Sequence, residues 1–327
     1  MFGKPSDLRP PSSDPRPPLI VVVGPTAVGK TATAIALAEI AQGEIVSADS
    51  RYLYRGMDIG TAKPSPEEQA RVLHYLIDVT TPDRPWTLSQ YQLAAVQAIG
   101  AIHARGRLPL LVGGTGQYIR AVIENWQIPP GDPSRGLRLE LEADLAREGV
   151  TALAKRLREA DPASAGKVDL RNPRRVIRAL EVALATGESF VAQRRKGTSA
   201  YETTLVGLTL PRRELYARID ARVDAMLNRG LVDEVRRLAA HGYGWELPAM
   251  SALGYRQVGQ YLRGECALDE AARHIKRATR QLVRRQANWF KPSDPAIRWF
   301  DMSRAGVDEI AACLQPRRES GRIAPIE

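Results

Sequence analysis

The chain is poor in the residues that staple or metallate small folds. It has two cysteines in 327 residues, Cys266 and Cys313, too few for a disulfide framework or a four-ligand zinc site. Its four histidines, His74, His103, His241 and His274, show no metal-ligand spacing. Any metal is therefore expected to be a hard ion held by oxygens and by the phosphates of a substrate. No apolar run approaches the roughly 18 residues that would cross a bilayer, so no membrane span is expected. The opening stretch, MFGKPSDLRPPSSDPRPP, lacks the apolar segment of a secretory signal, and a cytoplasmic protein is expected. Six of those 18 residues are proline, which points to a disordered leader over residues 1–18. Acidic residues are in deficit: 37 Asp and Glu face 47 Lys and Arg, for a net charge of +10 and a pI near 9.8. Surplus positive charge favours polyanionic partners, nucleic acid first among them, although Arg-rich genomes raise many pI values as well.

What is present is an ordinary globular composition, 44% apolar and 26% charged, with enough length for one large domain carrying a smaller one. Residues 19–23 form a five-residue apolar run that ends in glycine, as a buried parallel strand would. An alanine-rich helix is expected over 31–41, a second strand over 44–48, a helix over 89–105 and a third strand over 108–112. Strands alternating with helices imply a parallel sheet covered on both faces. From about residue 127 the alternation stops, and 137–158 and 173–186 are helical with no strand between them. A strand over 204–210 returns to the parent sheet, followed by amphipathic helical sequence over 214–241 and 268–289. The expectation is a core of residues 19–126 and 201–314, a helical insertion over 127–200, and a flexible tail over 315–327.

Between the first strand and the first helix stands Gly24-Pro25-Thr26-Ala27-Val28-Gly29-Lys30-Thr31, a match to G-x-x-x-x-G-K-[ST] in the context that motif requires. Its glycines let successive backbone N–H groups curl inward around phosphate oxygens, and the helix start adds a positive dipole end. Lys30 would bridge phosphates, and Thr31 would offer its hydroxyl to Mg²⁺ carried on them. The motif does not say which phosphates are held; ATP or GTP is the default. Yet the strand that usually ends in an acidic residue here ends in Gly113-Gly114-Thr115-Gly116 instead. The best acidic candidate is Asp49, at the end of the second strand and so at the ligand-facing edge of an open α/β sheet. A carboxylate there could hold Mg²⁺ or accept a proton, or could simply cap the next turn.

Beyond Asp49 the chain reads Asp49-Ser50-Arg51-Tyr52-Leu53-Tyr54-Arg55-Gly56-Met57-Asp58-Ile59-Gly60-Thr61-Ala62-Lys63-Pro64. With the phosphate loop and Leu111-Val112-Gly113-Gly114-Thr115-Gly116-Gln117-Tyr118-Ile119, this closely resembles the bacterial tRNA dimethylallyltransferases, or tRNA isopentenyltransferases. The likeness continues through Asn172 to Glu181, Leu253 to Gln257 and Thr279 to Gln286. It implies a P-loop NTPase-like α/β fold with a helical tRNA-binding insertion, and a monomer. It also implies transfer of a dimethylallyl group from dimethylallyl diphosphate to N6 of the adenosine on the 3′ side of the anticodon, with Mg²⁺ as cofactor.

By that resemblance Asp49 is the general base, Thr26 hydrogen-bonds the reacting centre or a diphosphate oxygen, and Arg222 clamps the diphosphate. Read without the family, Arg222 would be a solvated helical cation. The resemblance further places the tRNA anticodon stem-loop against Asp49, Ser50, Arg51 and Tyr52, against Thr115, and against Arg174, Arg175, Val176, Ile177 and Arg178. A third contact segment is Ser251, Ala252, Leu253, Gly254, Tyr255 and Arg256. Arg171, Arg174 and Arg178 recur at a spacing that would put three guanidiniums on one helix face. Tyr52 stands where glutamine is common in the family, and a basic contact expected near Gly136 would fall to Arg135 or Arg138. Residues 271–300 carry eight Lys and Arg against Asp294 alone, and Arg273, Arg277, Arg280 and Arg284 could form a phosphate-tracking stripe or an exposed anchoring helix. Competing readings are an enzyme that prenylates free adenine nucleotides, a small-molecule P-loop kinase and a nucleotide-switched binding module. The first needs no basic surface for RNA, and the kinase would require an adenine-binding or lid-arginine pattern that is not evident.

Overall fold

The computed structural model describes residues 16–128, 135–192, 196–312 and 314. The elements run β1 (Pro18–Val23), α1 (Lys30–Ala41), β2 (Gly43–Ser47), α2 (Pro66–Arg71), β3 (His74–Tyr75), α3 (Leu88–Ala104), β4 (Leu108–Val112) and α4 (Gly116–Ile123). They continue with α5 (Arg135–Ala160), α6 (Pro162–Ala165), α7 (Pro173–Thr186), β5 (Glu202–Thr209), α8 (Arg212–Asn228) and α9 (Leu231–Ala240). Last come α10 (Tyr255–Leu262), α11 (Leu268–Ala287), β6 (Ile297–Asp301) and α12 (Val307–Ala312).

The six strands form one all-parallel sheet in the order β3-β2-β4-β1-β5-β6, the flanked α/β sheet that the strand–helix alternation called for. β1 is central because both its faces and both its edges are covered: Leu19 to Val23 are all buried, and β4 and β5 pair on either side. Each fully buried aliphatic side chain of this kind contributes roughly 1.5–3 kcal/mol. From β1 the chain crosses to β2 on one side and later to β5 on the other, so the order reverses at β1. Ligands of open α/β sheets bind at such a point, outside the carboxyl ends of the strands. Ile35, Leu37 and Ala38 of α1 pack with Leu215 and Ile219 of α8 in the cluster that includes Ile20, Val22 and Leu110 of the sheet.

The chain divides into two compact units, one of Met1–Trp86, Tyr91–Ile123 and Ala200–Glu327, the other of Thr87–Gln90 and Glu124–Ser199. The second is built around α5 and α7, with Leu141, Leu153, Leu157, Val176, Ile177 and Leu180 as its core. Asn172 caps α7 by accepting from the Arg175 N–H at 3.3 Å, and Gly187 at φ 70° ends it.

Several expectations need correction. Pro18, assigned to the leader, is the first residue of β1, a position where its missing N–H costs no ladder bond. The helix expected over 137–158 is interrupted at Gly149, whose φ of 80° is not helical. The sequence over 214–241 is two helices, because Gly230 at φ 94° turns the chain between α8 and α9. Sequence reasoning missed α2, β3, α4, α6, α10, β6 and α12, each eight residues or shorter. Residues 1–15 of the expected leader and the expected tail lie outside the described residues.

Candidate active site

The loop from Gly24 to Thr31 leaves the carboxyl end of β1 and enters α1 at Lys30. Gly29 caps that helix at φ 105°, a backbone angle that L side chains resist, and Ala27 adopts φ 66°. No side chain caps α1, as suits a helix start that is to meet an anion. Lys30 Nζ curls back over the loop and donates to Gly24 O at 3.1 Å and Pro25 O at 2.8 Å. Burial pushes its ammonium down to about 8; Asp49 opposes that shift and Arg222 adds to it. Two residues from other elements, Asp49 and Arg222, thus act electrostatically on the phosphate-loop lysine.

Asp49 follows β2 by two residues and is half-buried. Its Oδ1 accepts from the Arg51 N–H at 2.9 Å, which fixes the carboxylate in an Asx-type turn. Arg222 comes from α8, whose Val223 and Met226 anchor it in the core. Tyr52 completes the group. Its hydroxyl donates to Ala62 O at 2.8 Å. Burial holds that phenol well above its usual range, and the charge of Asp49 raises it further, while Arg222 and a hydrogen bond with Thr31 oppose. Asp49, Lys30, Thr31, Tyr52 and Arg222 therefore share one polar locus at the carboxyl ends of β1 and β2. Two stacked rings stand beside it: Tyr91 and Tyr118 lie 3.7 Å apart between centroids; burial is the main cause that raises both phenols, neighbouring tyrosines add to it, and Asp49 gives the smallest upward push on each.

The structure brings several expected tRNA contacts together. The Ser50 N–H donates to Thr115 Oγ1 at 3.1 Å, joining the segment after Asp49 to the turn after β4. Arg51 Nη1 and Ser251 Oγ both donate to Pro248 O, at 3.2 and 2.7 Å. Arg256 is exposed and, with His274 and Arg277, lines a shallow polar cleft of about 250 Å³. In the second unit Arg174 and Arg175 are exposed.

Other members are turned into a core or already hold a partner within the protein. Val176 and Ile177 fill the core of the second unit, and Ala252, Gly254 and Tyr255 are buried in the first, where they shape the surface from beneath. Arg171 precedes α7, so it does not share a helical face with Arg174 and Arg178. Arg178 donates to the buried Glu181 at 2.8 Å, and Arg138 to Glu142 at 3.1 Å. Within the basic helix α11, Arg280 is bound to Asp220 and lies 5.2 Å from the Tyr216 ring centroid, and Lys276 pairs with Asp224 at 2.7 Å. These ties join α11 to α8, so the expected stripe of four arginines is broken at Arg280.

Two residues that sequence reasoning left without a role are prominent. Glu234, buried on α9, accepts from the N–H groups of Asp58, Ile59 and Gly60 at 3.1, 2.8 and 3.1 Å, and from the Tyr255 hydroxyl at 2.6 Å. Gln286, near the end of α11, accepts from the Thr26 N–H at 2.9 Å. An acid on a helix and an amide in an Arg-rich run carry no signal that separates them from solvated neighbours.

A parallel sheet with its phosphate loop at the switch point and a carboxylate, an arginine and a lysine converging there defines a P-loop enzyme that handles phosphates. The chain belongs to the IPP transferase family, whose model matches residues 52–293. It is 54% identical over 274 residues to a tRNA dimethylallyltransferase of Roseiflexus sp. (strain RS-1), covering 84% of this chain and 90% of that one. It is 48% identical over 314 residues to the tRNA dimethylallyltransferase of Thermomicrobium roseum, covering 94% and 95%. Among solved structures it resembles the tRNA isopentenylpyrophosphate transferase of Bacillus halodurans, with a TM-score of 0.67 and 41% identity over 90% of this chain and 93% of that one. A eukaryotic dimethylallyltransferase acting on tRNA matches with a TM-score of 0.77 and 26% identity, over 88% and 75%.

Proposed function

We propose that this chain transfers a dimethylallyl group from dimethylallyl diphosphate to N6 of the adenosine on the 3′ side of the anticodon in tRNA, releasing diphosphate. The observation that supports it best is the convergence of Asp49 and Arg222 on Lys30 at the phosphate loop. In this reading the loop's N–H groups, Lys30 and Arg222 hold the diphosphate and stabilise the charge it gains as the allylic C–O bond breaks. The adenine N6 lone pair forms the new C–N bond, and Asp49 takes the proton that N6 loses. Thr26 directs its hydroxyl at the reacting centre or at a diphosphate oxygen. The adenosine is splayed out of its loop to reach the site. Exposed cations such as Arg174, Arg175 and Arg256 meet the RNA backbone.

Mg²⁺ is the cofactor of this reading. Among the described residues no group of three or more His, Cys, Asp or Glu could cage a metal, so the ion would rest on the donor's diphosphate with Thr31 Oγ1 as protein ligand. Bound there it would neutralise leaving-group charge. This reading takes the chain as a monomer working on tRNA in the cytoplasm; among the described residues no helix is long and apolar enough to cross a membrane.

The test is incubation with Mg²⁺, labelled dimethylallyl diphosphate and unmodified tRNA bearing adenosine beside the anticodon. Label is expected in the tRNA, on N6 of that adenosine. Label passing to free AMP, or γ-phosphate transfer from ATP, would overturn the proposal in favour of a nucleotide prenyltransferase or a kinase.

A further inference from the structure

The turn after β4 and the start of α4 pack closely against the end of α11. A Cβ on Gly114 would lie 2.3 Å from Gln286 Nε2, and one on Gly116 would lie 2.2 Å from Trp289 Cγ. Into that gap Gln286 makes two bonds of opposite sense: Oε1 accepts from the Thr26 N–H at 2.9 Å, and Nε2 donates to Gly114 O at 3.2 Å. The two partners orient the amide, since the oxygen meets a donor and the nitrogen an acceptor. Gly114 also stands near Lys30, whose Nζ is 3.8 Å from the same Cβ position.

Thr26 is the loop residue whose hydroxyl the proposed reaction uses, and its backbone is tied to a helix 260 residues away in sequence. That helix is itself held to α8, the carrier of Arg222, by the Arg280–Asp220 and Lys276–Asp224 pairs. We infer that Gln286 is a positioning residue for dimethylallyl transfer: its carboxamide clamps the Thr26 backbone against the Gly113–Gly114 turn and so aims the Thr26 hydroxyl at the diphosphate. The inference rests on the function proposed above. It also accounts for Gly114, where a Cβ would meet the Gln286 carboxamide.

The experiment is a double-mutant cycle on the full chain, using single-turnover transfer to tRNA at saturating dimethylallyl diphosphate. Gln286→Met keeps the side chain's length and loses both hydrogen bonds; Gln286→Ala is the second variant. Each is expected to slow transfer roughly 10- to 100-fold, the cost of displacing a reacting group by a fraction of an ångström to an ångström. Affinity for inorganic diphosphate and the melting temperature should stay near those of the parent. In a Thr26→Ala background, Gln286→Met should change the rate less than about threefold, because the group it aims is gone. Equal effects in both backgrounds, or loss of diphosphate affinity in step with the rate, would make Gln286 a structural strut and overturn the inference. A Gln286→Met rate equal to the parent's sinks the inference and leaves the proposed function standing. A parent that labels no tRNA sinks both.

Discussion

Lys30 offers a prediction whose size follows from the structure. Its ammonium is brought from the ordinary 10.5 to about 8 by burial, with Asp49 pulling it up and Arg222 pushing it down. Diphosphate binds the protonated form, so binding should take up a proton as the pH rises past 8. Affinity is then scaled by the protonated fraction of the free protein: half is lost at pH 8, and about tenfold at pH 9. Calorimetric titration of inorganic diphosphate at fixed Mg²⁺ between pH 7 and 9.5 measures this directly, and buffers of differing ionisation enthalpy count the protons. Neighbours move the midpoint with opposite signs. Asp49→Asn removes a charge that raises the lysine and should bring the midpoint below 8, whereas Arg222→Gln removes one that lowers it and should bring the midpoint above 8. An affinity flat from pH 7.5 to 9.5, or an inflection that survives Lys30→Met, would refute the reasoning. The linkage to folding has a defined sign as well. The unfolded chain holds this proton between pH 8 and 10.5 and the folded chain does not, so this group makes stability rise with pH across that window.

Other residues give sharper single outcomes. Asp49→Ala should cut single-turnover transfer by roughly 10²–10⁴-fold with tRNA affinity nearly intact, and a near-normal rate would remove Asp49 from the role of base. Arg174→Ala and Arg175→Ala, both exposed on α7, should weaken tRNA binding and reduce the slope of log affinity against log salt by about 0.7–0.9 per residue, while diphosphate affinity stays unchanged in calorimetry. Arg178→Ala behaves differently because it deprives the buried Glu181 of a 2.8 Å partner, so a destabilisation of roughly 1–3 kcal/mol should appear in chemical denaturation alongside any loss of RNA affinity. Glu234→Ala strips three N–H groups and a hydroxyl of their acceptor, and unfolding should become easier by roughly 2–4 kcal/mol, with an unchanged midpoint counting against the anchoring role.

The linear sequence alone determined the phosphate loop, because Gly29, Lys30 and Thr31 act through local backbone geometry between an apolar run and a helix. It also determined the parallel sheet, since runs such as residues 19–23 and 108–112 are apolar on both faces and so must be buried on both. Asp49 was legible for the same reason: its place at a strand end is a local fact. Arg222 was legible only through the family, because an arginine on an amphipathic helix looks solvated until the fold turns it toward Lys30. What only the tertiary structure decided is which of many like residues are occupied. It paired Arg280 with Asp220, Lys276 with Asp224 and Arg178 with Glu181, leaving Arg174 and Arg175 exposed. It turned Val176 and Ile177 inward, and it brought Gln286 across 260 residues to the Thr26 N–H. The division has a physical cause. A loop or a strand is specified by neighbours a few residues away, whereas a hydrogen bond between distant side chains exists only once the sheet and helices have fixed the distance between them.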